Sequence, residues 1–173
     1  SSYLVAVILA RNNLACAYHL MGDYVSAMAE VDAVIDLASR SQQPRLLALA
    51  WIEKGALDAD LTRWTPALAA LRCGLRAARA LGEPEVVAYA RRGLLECSCR
   101  AGELDEARGL LREIVRVPAP NELGRVLDRV AEGALYVEER ACSTARPILT
   151  QAAQRFSAAG AMASLARTHL YLA

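Results

Sequence analysis

The chain has 173 residues and a net charge of +1, and 55% of its residues are apolar although only 5% are aromatic. This length is enough for one domain with a real core or for a short array of repeats. The balanced charge excludes the basic surface typical of proteins that bind nucleic acid or anionic lipid, so we expect neither partner for this domain.

The first apolar segment, Tyr3 to Ala10, is interrupted by Arg11 well short of the ~20 residues that a membrane span needs. It also lacks the charged start and the cleavage pattern of a signal peptide. Five cysteines are scattered through helical patterns, which predicts free thiols in a reducing, cytoplasmic compartment rather than a disulfide framework. Because the chain begins with Ser-Ser and not with Met, we expect it to be a piece of a longer protein.

Ala and Leu dominate the sequence, which favours helices, and no stretch shows the sustained alternation expected of strands. Nine helices are predicted, separated by short polar or Gly- and Pro-containing corners. In chain order they cover residues 3–21, 24–40, 44–61, 65–81, 84–101, 104–117, 121–139, 142–158 and 161–173.

Four of these corners share one pattern, in which a large or sulfur-containing residue precedes an alanine by three positions. The pairs are Tyr24 and Ala27, Trp64 and Ala67, Leu104 and Ala107, and Cys142 and Ala145. Successive alanines are 40, 40 and 38 residues apart, and small residues recur twelve positions earlier at Ala15, Gly55 and Gly133. Small residues allow the two helices of a hairpin to approach closely. Since one hairpin cannot bury its apolar face alone, a repeat of this kind predicts stacked hairpins.

The clearest fragments of the repeat resemble the tetratricopeptide pattern W-x2-L-G-x2-Y…A-x3-F…P. They run from Leu14 through Tyr18 and Gly22 to Ala27, and from Trp51 through Gly55 and Trp64 to Ala67. The period of about 40 exceeds the 34 residues of that family. Longer repeats are similar to those in the superhelical sensor domains of large bacterial transcriptional activators, such as the maltose-operon activator and its ATP-binding LuxR-type relatives.

The repeat and this resemblance together imply an all-α, right-handed superhelical solenoid of about four and a half antiparallel helix hairpins. We expect residues 1–173 to form a single domain of this kind. Its repeats would cover residues 3–41, 42–82, 83–120 and 121–159, followed by a partial repeat at 160–173.

No arrangement of residues predicts catalysis, so we expect a non-enzymatic protein without catalytic residues. Phosphate-binding, nucleophile-elbow and zinc-protease motifs are absent from the sequence. His19 lies one helical turn from Cys16, but a histidine that lines a repeat is a better interpretation than a catalytic pair. Cys97 and Cys99 are two residues apart and point to different sides of a helix, so we expect no metal site and no cofactor.

In tetratricopeptide domains the first helix of each hairpin lines the inner groove, and the resemblance transfers that role to the matching residues. The expected binding residues are Asn12, His19, Ile52, Tyr89, Arg92, Glu96, Arg100 and Val130. Cys16, Glu53 and Asp60 occupy the same register. The chaperone-tail clamp of this family needs a Lys that is missing here, so binding of a chaperone C-terminal tail is not predicted.

Two features of this groove allow alternative interpretations. Arg92, Glu96 and Arg100 are spaced i, i+4, i+8 and form either a self-paired solvated stripe or an anchor for a peptide carboxylate. The apolar positions either seat a partner segment or pack against the next helix. We expect a scaffold that binds a protein or peptide segment within a larger bacterial transcriptional regulator. Self-association as a homo-oligomer and sensing of a small ligand are the alternatives.

Overall fold

The computed structural model describes residues 2–172, apart from the side chains at positions 2, 163 and 167. Within that range the chain forms nine α-helices and no β-strand, which confirms the all-α prediction. The helices are α1 (Ser2–Met21), α2 (Tyr24–Arg40), α3 (Pro44–Asp60), α4 (Trp64–Leu81), α5 (Pro84–Ala101), α6 (Leu104–Arg116), α7 (Glu122–Glu138), α8 (Cys142–Ala158) and α9 (Met162–Leu172). Every described boundary lies within one residue of its prediction, and the predicted end at residue 173 lies outside the described residues.

The chain divides into two compact units, Ser1–Gly93 and Leu94–Ala173, with the division inside α5. In the first unit α1, α2, α3 and α4 pack successively, and α1 also contacts α3. In the second unit α6, α7, α8 and α9 pack successively, and α7 also contacts α9.

The small residues predicted at the hairpin contacts lie in the cores of these units. Ala15, Ala27 and Val31 form one buried cluster of the first unit, against which Tyr18 and Tyr24 pack. In the second unit the corresponding cluster contains Val126, Val130, Ala145, Leu149, Ala152 and Phe156. Cys142, the counterpart of Tyr24, is an exposed free thiol, so it does not pack against a core cluster as Tyr24 does.

Seven of the eight corners between the described helices contain a residue in the left-handed conformation, and the corner between α6 and α7 does not. The described residues in this conformation include Gly22, Gln42, Thr62, Gly82, Gly102, Arg140 and Gly160. At six of these corners the residue after the left-handed one donates its N–H to a carbonyl five positions earlier, as in Arg63 to Asp58 at 2.8 Å. This bond satisfies a carbonyl that the helix end would otherwise leave without a partner.

Thr62 adopts this conformation with φ of 58° although its side chain is β-branched. A left-handed conformation costs an L-residue about 1–2 kcal/mol, and glycine avoids this strain. Part of the gain is offset because glycine has more conformational freedom to lose when the chain folds. We therefore expect Thr62→Gly to raise the free energy of unfolding by about 0.5–1 kcal/mol. Urea denaturation followed by circular dichroism measures the change.

Gly22→Ala is the matched control, because it adds a Cβ at the equivalent corner, where φ is 78° and no atom lies within 4 Å of the added carbon. It should therefore lower stability through the backbone alone. A Thr62→Gly variant that unfolds at lower urea than the wild type would show that the Thr62 side chain stabilises the corner.

Candidate functional site

His19, in the last turn of α1, connects the first helices of the first two hairpins. Its Nδ1 lies 2.7 Å from Oε1 of Glu53, and its Nε2 lies 2.8 Å from Oδ2 of Asp60. Glu53 and Asp60 are seven residues apart on α3, which is close to two helical turns and puts both on one face. The imidazole therefore fits between two carboxylates of the same helix.

This geometry favours the charged form of His19. Hydrogen bonds to Asp60 and then to Glu53 raise the pKa of His19 to about 9, and burial of the ring acts in the opposite direction. The imidazolium has two N–H donors whereas neutral imidazole has one, so only the protonated ring can donate to both carboxylates. At neutral pH the three side chains together carry a net charge of −1.

Cys16, one turn before His19, does not form a nucleophile with it. Burial and the nearby Glu53 carboxylate raise the pKa of the Cys16 thiol above its ordinary value. A protonated thiol is a poor nucleophile, and an imidazolium cannot accept its proton. The contacts of His19 are those of a charged ring held between two carboxylates.

The surface of α1 beside this cluster is apolar and open. Leu20 is 87% exposed and Met21 is 78% exposed, and Leu9 is exposed on the same helix. By length and composition alone, Tyr3–Met21 is also apolar enough to cross a membrane, a test that an N-terminal signal sequence or a core helix also passes. Ile8 and Ala15 of the same helix are fully buried, and the Arg11 guanidinium lies 2.7 Å from Glu30 of α2.

The predicted binding residues do not all have accessible side chains. Ile52 is 1% exposed and Val130 is 2% exposed, so the prediction that they line a groove is wrong. Ile52 contacts the backbone face of α4 at Gly74, where its Cγ1 lies 2.7 Å from the position that an added Cβ would occupy. Val130 packs in the α7–α8 cluster beside Leu149. Ile52 therefore lies on the side of α3 that faces its hairpin partner, α4.

The remaining predicted residues differ in burial. Tyr89 and Arg100 are exposed, and Asn12 and Arg92 are half-buried. Glu96 is only 8% exposed, and the Tyr171 hydroxyl of α9 lies 3.5 Å from its Oε2. Arg92 belongs to the first unit, whereas Glu96 and Arg100 belong to the second. Burial of Glu96 contradicts a fully solvated stripe along α5.

Cys97 and Cys99 are both buried, although they are two residues apart, because α5 is covered continuously from Leu94 to Cys99. Burial raises the pKa of the Cys99 thiol to about 12, and the carboxylates of Glu138 and Glu96 add to the effect. This thiol therefore stays protonated and unreactive.

Glu53 and Asp60 share the register of the expected binding residues without being among them, and the structure brings both to His19. In the sequence, the i, i+7 spacing of Glu53 and Asp60 indicates that the two carboxylates lie on one face of α3. Nothing near them in the sequence indicates that His19 of α1 packs against that face. Among the described residues, no group of three His, Cys, Asp or Glu side chains is arranged to hold a metal ion.

No protein-family model matches the chain, and no curated protein matches its sequence. The functional proposal therefore depends on the chemistry of the side chains.

Proposed function

We propose that this chain is a non-enzymatic helical-repeat scaffold that binds an extended protein segment on the face made by α1 and α3. The observation that carries the proposal is the cluster of His19, Glu53 and Asp60, which joins the first helices of two consecutive hairpins on one partly accessible face. In a tetratricopeptide-like, right-handed solenoid this is the inner face. The contacts of α1 with α3 and of α7 with α9 support such stacking.

The charge of the cluster selects the partner. Glu53 and Asp60 outweigh the single positive charge of His19, and the Asp60 side chain is 42% exposed. Exposed Leu20 and Met21 lie at the same end of α1. A segment that combines Lys or Arg with apolar side chains matches both features, because its cation meets the carboxylates while its apolar groups cover α1.

By its resemblance to activator repeats, we place such a scaffold in a cytoplasmic bacterial transcriptional regulator, where it would sense or relay contact with another protein. Exposed Met162 and Leu170 on α9 favour a second candidate, self-association through this end of the chain. A chain that remains monomeric by light scattering at high concentration would contradict the second candidate and leave the first unaffected.

Selection from a random peptide library, followed by fluorescence anisotropy with the selected labelled peptides, tests the scaffold. We expect basic, apolar peptides to be selected and Asp60→Asn to weaken their binding at least tenfold. Arg92→Ala and Arg100→Ala test the alternative in which the bound segment is acidic, or ends in a free carboxylate, and binds α5.

Asp36→Asn is the matched control, since Asp36 is an exposed carboxylate on α2 that pairs with Arg40 and lies outside the cluster. It removes the same charge and should change the affinity little. The proposal fails if no peptide binds more tightly than about 100 µM, or if Asp36→Asn weakens binding as much as Asp60→Asn.

A further inference from the structure

A cleft between α7 and α8 in the second unit is lined by an unusual number of basic side chains. Its volume is 290 Å³. The lining residues are Glu122, Arg125, Val126, Arg129, Ile148, Gln151, Ala152 and Arg155. Three guanidinium groups and one carboxylate give this lining a net charge of +2, in a chain whose overall charge is +1.

Arg125 is held in position by the loop that precedes α7. Its Nη1 donates to the carbonyl of Pro120 at 3.0 Å and lies 3.4 Å from the carbonyl of Ala119. The loop itself is fixed, because the buried carboxylate of Asp128 accepts the Ala119 N–H at 2.8 Å. An arginine anchored in this way loses little further freedom when it binds an anion.

Arg155 can turn toward a ligand at small cost. Arg129 pairs with Glu132 on its own helix, and Arg155 lies 3.2 Å from Glu122 across the cleft. The Arg155 side chain is 55% exposed and the Glu122 side chain is 76% exposed, and an exposed ion pair of this kind contributes only about 0–1 kcal/mol. Glu132 is only 14% exposed, so the pair of Arg129 with Glu132 is partly buried. A bound anion that contacts the Arg155 guanidinium replaces its pair with Glu122.

The wall of the cleft between these charges is apolar. Val126, Ile148 and Ala152 are buried and face the cleft with part of their surface. Pockets for small ligands have volumes from about 300 Å³ upward and combine an apolar lining with a few polar anchors. The size and lining therefore suit a compact molecule rather than a peptide strand.

We propose that this cleft binds a small organic oxyanion, a phosphate or carboxylate group attached to a compact apolar body. Arg125 and Arg155 hold the oxyanion through bidentate hydrogen bonds, and Val126, Ile148 and Ala152 contact the apolar body. The site is independent of the proposed peptide-binding face, which lies in the first unit, so either can fail without the other.

Isothermal titration of the full chain with phenyl phosphate, benzoate and inorganic phosphate tests this proposal. Phenyl phosphate or benzoate should bind at least tenfold more tightly than inorganic phosphate, because only the first two have an apolar body. The stronger of the two identifies the oxyanion. Arg155→Gln should weaken binding at least tenfold, and Arg155→Lys should restore only part of it, since lysine keeps the charge without the bidentate geometry.

Arg112→Gln is the charge-matched control, because Arg112 is an exposed arginine of α6 in the same unit and outside the cleft. Arg125→Gln removes a contact with the loop before α7, so circular dichroism is used to check that this variant still folds. Arg129→Gln is a third variant, at an exposed position of the cleft. The proposal is overturned if no probe binds more tightly than about 10 mM, or if Arg112→Gln weakens binding as much as Arg155→Gln.

Discussion

Replacing Gly55 with alanine is expected to lower the free energy of unfolding by roughly 2 kcal/mol. An added Cβ at this position of α3 would lie 2.4 Å from Cγ of Leu71 and 3.0 Å from the carbonyl oxygen of Ala67, both on α4. Leu71 is 1% exposed, so it can shift only by displacing neighbouring atoms of the core. The strain therefore exceeds the ~1 kcal/mol that alanine gains over glycine inside a helix. The midpoint of urea denaturation measures the difference.

Gly109→Ala on α6 is the matched control for this prediction. There an added Cβ meets nothing nearer than the flexible Nη2 of Arg112, at 3.9 Å. The same substitution should therefore stabilise the chain by up to about 1 kcal/mol through helix propensity alone. If Gly55→Ala were also neutral or stabilising, the close contact between α3 and α4 would be wrong.

Raising the pH from 6.5 to above 9 is expected to remove about 1–2 kcal/mol of stability through His19 alone. The pKa of His19 is raised from 6.5 to about 9 in the folded state by its bonds to Asp60 and Glu53. A raised pKa stabilises the fold fully below the unfolded value of 6.5, and this stabilisation is lost as the pH rises through 9. The loss is smaller than the full pKa shift implies, because water screens the partly exposed Asp60 carboxylate.

His19→Gln isolates this effect from other groups that titrate in the same range. The free energy of unfolding of wild type minus that of the variant should be largest near pH 6.5 and should fall toward pH 9.5. His169→Gln is the control, because it makes the same substitution at the other histidine, which is exposed on α9. Parallel profiles for wild type and His19→Gln would show that His19 titrates with an ordinary pKa.

Helices and corners could be predicted almost completely, because their signals are local. Glycines at 22, 82, 102 and 160 end helices in the left-handed conformation that only glycine adopts at no cost. Thr62 and Arg140 lack that signal, yet the repeat register still located their corners. Burial of Ala27, Ala67 and Ala107 likewise follows from their spacing, since a period of 40 residues returns each alanine to the same contact.

For the candidate site, the sequence predicted which helix positions share a face, but not which of those side chains are accessible. The repeat put His19, Glu53 and Asp60 on the expected face, but it put Ile52 and Val130 there as well, and both are buried. Neighbouring positions on a helix differ by about 100° in direction, so a small rotation decides whether a side chain meets solvent or the partner helix. That rotation is set by packing and leaves no trace in the spacing.

The cleft between α7 and α8 likewise could not be predicted from spacing along the sequence. Arg125 and Arg129 are visible in the sequence as an i, i+4 pair on α7, but Arg155 lies 26 residues beyond Arg129 and joins them only through the packing of α8 on α7.

The amino-acid sequence by itself determined the helical class, the helix boundaries and the small residues at the hairpin contacts, because these depend on backbone propensity and on a repeated spacing. Only the tertiary structure decided which polar side chains meet. A pairing such as His19 with Asp60 depends on the distance and rotation between two packed helices, and those are set by the combined shape of all the side chains between them.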